Sequence, residues 1–254
     1  MTAVGVTGAT GTMGRAVLDT AAGRDDTTVA FATNRDPAAE HVAGHELRPA
    51  VDFPDLLATH APDVVVDFTG PESAVEYASA CAEADVGFVT GTTGFDEAHR
   101  DVLRGVADRV PVLRATNFSR GVHALAEALA ETVETLPDYD IELTETHHNR
   151  KRDAPSGTAT TLLDRIDDAS GANHDRTYGR EGEQPRDGDE VGVHVRRAGN
   201  VRGEHEVLLA GNDEVLTLTH RAESRGVFAA GALDAAVWLA GRDAGWYEFE
   251  EVLA

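Results

Sequence analysis

The stretch Glu145-Thr146-His147-His148-Asn149-Arg150-Lys151-Arg152-Asp153-Ala154-Pro155-Ser156-Gly157-Thr158 gathers reactive side chains more densely than any other part of the sequence. It holds two adjacent histidines and three consecutive cations inside a chain of formal net charge −23. Such a cluster makes a local positive field that suits a small anionic substrate. Lys151 is the sole lysine among 22 Lys+Arg residues. Arginine could have supplied the charge, but only lysine can release a proton near neutrality. The flanking Arg150 and Arg152 are expected to crowd its ammonium with like charge. Pro155 suits the first position of a helix, which would leave the amides of Ser156, Gly157 and Thr158 to hold a carboxylate. His147 and His148, on or just past a strand, must point to opposite sides, so one can face a reacting centre while the other contacts substrate or packs. Adjacent histidines are poorly spaced for chelation and no third ligand is evident, so no metal is expected. Each feature alone fits a solvated loop followed by a helix cap; the unique lysine inside the cluster argues against that plainer reading.

A second constellation opens the chain. Gly8-Ala9-Thr10-Gly11-Thr12-Met13-Gly14 has the spacing G-x-x-G-x-x-G between a strand-like run and a helical one. Glycines there allow a tight turn and close approach of the backbone to a pyrophosphate, while the helix N-terminus offers unpaired amides. A glycine-rich turn that binds nothing is the alternative, and the strand–turn–helix context weighs against it. About 20 residues on, where an acidic residue usually grips the adenosine ribose, stands Thr33-Asn34-Arg35. Arg35 favours a 2′-phosphate, hence NADP over NAD, whereas Asp36 beside it argues the other way; a solvated arginine fits equally well.

These residues need a scaffold. Ala3–Thr7, Val29–Thr33, Val64–Phe68, Phe88–Thr90 and Val110–Leu113 read as buried strands, alternating with helices at Met13–Ala22, Pro71–Ala84 and Asp96–Arg109. Met13, Val17 and Ala21 share one helical face, as do Val102, Val106 and Ala107. Between Asp36 and Pro62 only a short helix is expected, near Pro54–His60. This alternation predicts a parallel, doubly wound sheet. From Ser119 the pattern changes: a long amphipathic helix to Leu136 capped by Ser119, a half-exposed strand Asp140–Thr146, a helix Pro155–Ile166 and a loop Asp167–Asp189. Val191–Arg197, Glu206–Ala210 and Val215–Thr219 then alternate as antiparallel strands. Gly226–Leu239 is an alanine-rich helix expected to pack back on the first domain. The predicted fold is a Rossmann-type α/β dinucleotide-binding domain, residues 1–118 plus 226–254, with an inserted α+β substrate-binding and oligomerisation domain, residues 119–225.

Composition narrows the function. The chain has 254 residues, 41% of them hydrophobic, and one cysteine, so it can bury a core but cannot form an internal disulfide. No apolar run approaches the roughly 20 residues of a membrane helix, and the charge disfavours nucleic acid and anionic membranes as partners. A soluble, cytoplasmic protein is expected. A surface this acidic and this poor in lysine suits a high-salt interior, where screening shortens the repulsion.

The motif Glu145-x-His147-His148-x-x-Lys151-x-Asp153-Ala154-Pro155-Ser156-Gly157-Thr158, with Gly8-Ala9-x-Gly11-x-Met13-Gly14, resembles the dihydrodipicolinate reductase (4-hydroxy-tetrahydrodipicolinate reductase) family of the lysine and diaminopimelate pathway. Further matches follow in order over nearly the whole chain: Asp67-Phe68-Thr69-Gly70-Pro71-Glu72, Gly91-Thr92-Thr93-Gly94-Phe95, Asn117-Phe118-Ser119, Arg197-Ala198-Gly199 and Gly203-Glu204-His205. The resemblance implies NAD(P)H-dependent reduction of a small cyclic imine dicarboxylate by a cytoplasmic homotetramer built through the second domain. It also implies that His147 is the acid/base histidine, that Lys151 donates a proton, and that His148, Gly157 and Thr158 bind the substrate's carboxylates. Gly8, Ala9, Thr10, Gly11, Thr12 and Met13 fall on the family's nucleotide-contacting loops, as do Gly91, Thr92, Thr93, Ala115, Thr116, Asn117 and Phe118. Two departures bear on the cofactor: Thr12 stands where an arginine is frequent and Asn34 where a glutamate is common, so NADP is favoured by Arg35 alone. Another NAD(P) reductase and a non-catalytic nucleotide sensor are the rivals. The spacing of His147, Lys151 and Ser156 speaks against the first, and retention of both His147 and Lys151 against the second.

Overall fold

A computed structural model of the chain describes residues 1–35 and 41–254, so Asp36, the residue set against Arg35, lies outside the described residues. The chain divides into two units, Met1–Phe118 with Arg225–Ala254, and Ser119–Ser224. The first begins with β1 (Thr2–Thr7), α1 (Thr12–Ala21), β2 (Thr27–Asn34), β3 (His41–Val42), β4 (His45–Pro49), α2 (Phe53–His60), β5 (Val64–Asp67), α3 (Pro71–Glu83), β6 (Gly87–Thr90), α4 (Glu97–Ala107) and β7 (Pro111–Arg114). The second unit contains α5 (Arg120–Thr135), β8 (Asp140–His147), α6 (Gly157–Ser170), β9 (Asp175–Tyr178), β10 (Glu190–Arg197), β11 (Glu204–Ala210) and β12 (Val215–Arg221). The chain then returns to the first unit with α7 (Gly226–Leu239), β13 (Gly245–Tyr247) and α8 (Phe249–Leu253).

Among the described residues the first unit's sheet has the order β13-β7-β6-β5-β1-β2-β4-β3. Every pairing is parallel except β3 with β4. The strand order reverses at β1, which pairs with both β2 and β5, so the Gly8 turn sits at the switch point where α/β sheets bind ligands. Successive strand residues face opposite sides. Val4, Val6, Val64 and Val66 therefore pack on Val17 and Leu18 of α1 and on Ala232, Leu233 and Ala236 of α7. Val65, Phe88 and Val112 face the other way, onto Ala78 and Cys81 of α3 and Leu103 of α4. Cys81 is fully buried, and burial pushes its thiol pKa upward. The phase of α4 differs from expectation: Leu103, Val106 and Ala107 form the buried row, whereas Val102 is 43% exposed. The i, i+3, i+4 stripe starts one residue later than read, on the larger side chain.

In the second unit, the described sheet runs β12-β11-β8-β10-β9. Its antiparallel expectation needs correction. β10 pairs in parallel with both β8 and β9, while β11 and β12 are antiparallel. The α6 crossover sets β9 parallel to β8, and residues 179–189 then carry the chain back so that β10 enters between the two strands, parallel to both. The segment expected to be a loop therefore carries the end of α6 and all of β9. That strand is polar and held by its neighbours: Arg176 Nη2 donates to Leu163 O at 3.1 Å, and Thr177 Oγ1 to Glu190 Oε2 at 2.5 Å. Leu125, Leu129 and Val133 of α5, with Leu162 and Ile166 of α6, cover Leu143, Val193 and Leu209 of the sheet. No helix among the described residues is long and apolar enough to cross a membrane.

Candidate active site

The chemistry of the second unit collects where β8 ends. β8 lies between β11 and β10, and the register sets Arg197 beside His147 and His205 beside Glu145. Glu145 and His147, two apart on a strand, share a face. The Glu145 side chain is fully buried and its oxygens are divided. Oε1 accepts from Arg197 Nη2 at 2.8 Å and from the Ser156 N–H at 3.0 Å, and Oε2 is hydrogen-bonded to His147 Nδ1. Burial alone would raise this carboxyl's pKa, but the hydrogen bonds from His147 and Arg197 outweigh it and hold the group at about 2, so Glu145 is ionised. The His205 ring meets that of His147 edge to face, centroids 5.2 Å apart. Burial pushes the pKa of His205 down to about 3, which keeps it neutral. Ser156 Oγ caps α6 by accepting from Ala159 N–H at 3.2 Å, leaving its own proton for His205 Nε2, 3.2 Å away.

The loop from β8 to α6 carries the remaining candidates. Lys151 Nζ donates to Asp153 Oδ2 at 2.8 Å, and the lysine side chain is 21% exposed. This corrects the expected crowding by arginines: the group against the ammonium is a carboxylate, Arg150 turns to Asn200 Oδ1 at 3.2 Å, and Arg152 is exposed. Burial raises the Asp153 carboxyl and the hydrogen bond from Lys151 more than offsets it, so its pKa is lowered. The loop is tied to the turn after β10 by Asn149 N–H to Gly199 O at 3.2 Å and Arg197 Nη2 to Asp153 O at 2.6 Å. His148 is half-buried just past the strand. Helix α6 starts at Gly157 with Ser156 as its cap, so Pro155 precedes the cap and does not occupy the first helical position. The Ser156 amide, expected to meet a carboxylate ligand, is already given to Glu145. Gly157 and Thr158 are thus the first two helical residues, and no atom lies within 4 Å of where a Gly157 side chain would stand. Glu145, His147 and His205 each offer a ligand-type atom, all within 4.8 Å of one another, a trio that the His147–His148 spacing did not suggest. Both Glu145 oxygens are nevertheless engaged by Arg197, the Ser156 amide and His147.

In the first unit, the turn after β1 is built for close approach. Gly8 adopts φ +66°, Gly11 N–H donates to Gly8 O at 2.9 Å, and a Cβ on Gly14 would stand 2.2 Å from Gly8 O. Gly11 caps α1 without a side-chain hydrogen bond, and the first helical turn has no acidic residue, so nothing there opposes a pyrophosphate. Gly8, Thr10, Gly11, Asn34 and Arg35 line a cavity of about 330 Å³, where Arg35 Nη2 donates to Ser73 Oγ at 3.0 Å. Met13, Gly91, Thr116, Asn117 and Phe118 line a second, of about 200 Å³. Thr12 and Thr93 are exposed and border neither, while Ala9, Thr92 and Ala115 are buried. Thr92 serves a group given no role from sequence. Asp67, fully buried, accepts from Thr7, Thr69, Thr90 and Thr92 hydroxyls at 2.6–2.9 Å, joining the ends of β1, β5 and β6.

The family described as "Dihydrodipicolinate reductase, N-terminus" matches residues 2–118, and "Dihydrodipicolinate reductase, C-terminus" matches residues 121–253. A "4-hydroxy-tetrahydrodipicolinate reductase" of Natronomonas pharaonis is 55% identical over 98% of this chain and 98% of its own. One of Haloarcula marismortui is 54% identical over 100% and 99%. Among solved structures, the dipicolinate-bound dihydrodipicolinate reductase of Paenisporosarcina sp. TG-14 superposes with a TM-score of 0.79 at 22% identity, covering 98% of this chain and 97% of that one. GenD2 from gentamicin A biosynthesis, in complex with NAD, gives 0.63 at 14% identity over 99% and 90%. These two structures share the fold.

Proposed function

Because the chain belongs to the dihydrodipicolinate reductase family, we propose that it reduces 4-hydroxy-tetrahydrodipicolinate to tetrahydrodipicolinate, with the first unit holding a pyridine nucleotide and the second holding substrate and acid. The observation that carries this reading is the buried, ionised Glu145 bound to His147 at the mouth of a cationic loop that contains the only lysine. Gly157 and Thr158 at the start of α6, with His148, take the substrate's carboxylates. Loss of water from the 4-hydroxy compound leaves a conjugated C=C–C=N system, which accepts one hydride and one proton. The nucleotide, when bound, supplies the hydride. Lys151 supplies the proton, and His147 acts as second acid/base. Gly8, Ala9, Thr10, Gly11, Thr12 and Met13 hold the pyrophosphate side of the nucleotide, and Gly91–Thr93 with Ala115–Phe118 its remaining contacts.

NADP is the favoured cofactor, since Asn34 offers no carboxylate and Arg35 faces the cavity of the glycine turn. Oxidation of NADPH and NADH on adding freshly generated substrate tests the reaction, and no oxidation of either would overturn it. In the same assay Arg35→Ala should lower kcat/KM for NADPH roughly ten- to hundredfold, the worth of a charge-assisted phosphate contact, and barely change NADH. Equal losses for both would remove the 2′-phosphate assignment.

Charge and the lysine census support a salt-adapted, cytoplasmic enzyme, and the family resemblance supports a homotetramer. The edge strand β12, with Val215 60% and Leu216 40% exposed, is a surface that assembly through the second unit would cover. Melting temperature and tetramer content are both expected to rise from dilute buffer to molar salt, because 45 carboxylates repel one another against 22 cations when unscreened. Sedimentation and thermal unfolding across a salt series check this; a salt-indifferent melting temperature would overturn the adaptation, and a monomer throughout would overturn the assembly.

A further inference from the structure

We propose that Glu145 is the positioning residue of His147, holding the ring by Nδ1 so that Nε2 is the nitrogen that exchanges protons. This rests on the reading of His147 as an acid/base group. The carboxylate is fixed before the ring is considered: one oxygen is claimed by Arg197 on β10 and by the amide that precedes α6, and the other is left for His147. A carboxylate can only accept from a neutral or protonated ring at Nδ1, so the neutral ring carries its proton there and presents a lone pair at Nε2. The surroundings sharpen the effect. His205 on β11 is neutral, Lys151 on the loop is paired with Asp153, and Arg197 is the other charge in contact with Glu145. Glu145 thus stands between two groups that are both positive whenever His147 is protonated.

Glu145→Gln separates positioning from scaffolding. Its amide oxygen can still accept from Arg197 and Ser156, but its NH₂ would face Nδ1 and force the proton of the neutral ring to Nε2. It would also leave protonated His147 beside an uncompensated Arg197. The charged ring is then disfavoured, so the limb of the kcat profile that reports the protonation of His147 must move to lower pH. Expected for the full-length enzyme are a fall in kcat of at least about tenfold, the usual cost of losing the carboxylate that orients a functional histidine, and a limb displaced by about one pH unit. Glu145→Asp keeps the charge and should keep the limb in place with reduced kcat. In a His147→Asn background, Glu145→Gln should cause no further loss, because it acts through the ring. An unmoved limb in Glu145→Gln, a moved one in Glu145→Asp, or multiplicative losses in the double variant would each overturn the proposal. If Glu145→Gln does not fold, Glu145→Asp decides through its limb. A fully active His147→Asn would instead overturn the acid/base reading on which the proposal stands.

Discussion

Lys151→Met is expected to lower kcat by about two to four orders of magnitude, the usual worth of a placed proton donor, while the protein stays folded. Its ion pair to the largely exposed Asp153 lies in the range where such contacts add about 0–1 kcal/mol. The melting temperature should therefore barely move. The sequence offers a second route to the same test. An amine-directed reagent can modify only the sequence's single lysine, Lys151, and the chain's α-amino group. Stoichiometric labelling should abolish reduction, and a dicarboxylate analogue with nucleotide should slow it. Peptide mapping alongside residual turnover reads the result, and a fully labelled enzyme that still turns over would end the role of Lys151.

Gly14→Ala should damage nucleotide binding. The added Cβ would lie 2.2 Å from Gly8 O, 2.7 Å from Gly8 C and 2.8 Å from Ala9 Cα, all backbone atoms that no rotamer change can move aside. Either α1 tilts or the turn opens, and both spoil the amide cradle. With strain of about 1–3 kcal/mol for such overpacking, NADPH affinity should fall roughly fivefold to more than a hundredfold and the melting temperature should drop. Gly11→Ala is the control, since its Cβ would stand 3.1 Å from one atom, Gly8 O. Calorimetric titration with NADPH compares them. Wild-type affinity in Gly14→Ala would show that the pyrophosphate lies elsewhere.

Most of the first unit was legible because its strands are β-branched runs broken by helices of clean period, and Gly8–Gly14 stands where that alternation puts a phosphate turn. What escaped has physical causes. β9 and β13 are short and polar or aromatic, and pairing to neighbours makes them strands. The parallel course of β10 depends on a partner some fifty positions away, which local alternation cannot report. The same distance hid the site's supporting groups. Arg197 and His205 were visible as motif residues without a task, and only the β8 register brings them to Glu145 and His147. Ser156 was read as an anion-binding amide because its buried acceptor, Glu145, is eleven residues upstream.

The order of the chain has a consequence for its synthesis. The first unit receives α7 and β13 only after the whole second unit has been made. On a ribosome adding about 5–20 residues per second, Val4, Val6, Val64 and Val66, covered early by α1, wait on the order of ten to thirty seconds for the second helix that packs on them. The inserted unit, continuous in sequence, can close first. A nascent chain therefore carries a half-covered apolar sheet face in its N-terminal part while the inserted unit is complete, and a premature stop before Gly226 leaves that face permanently open to chaperones and proteases.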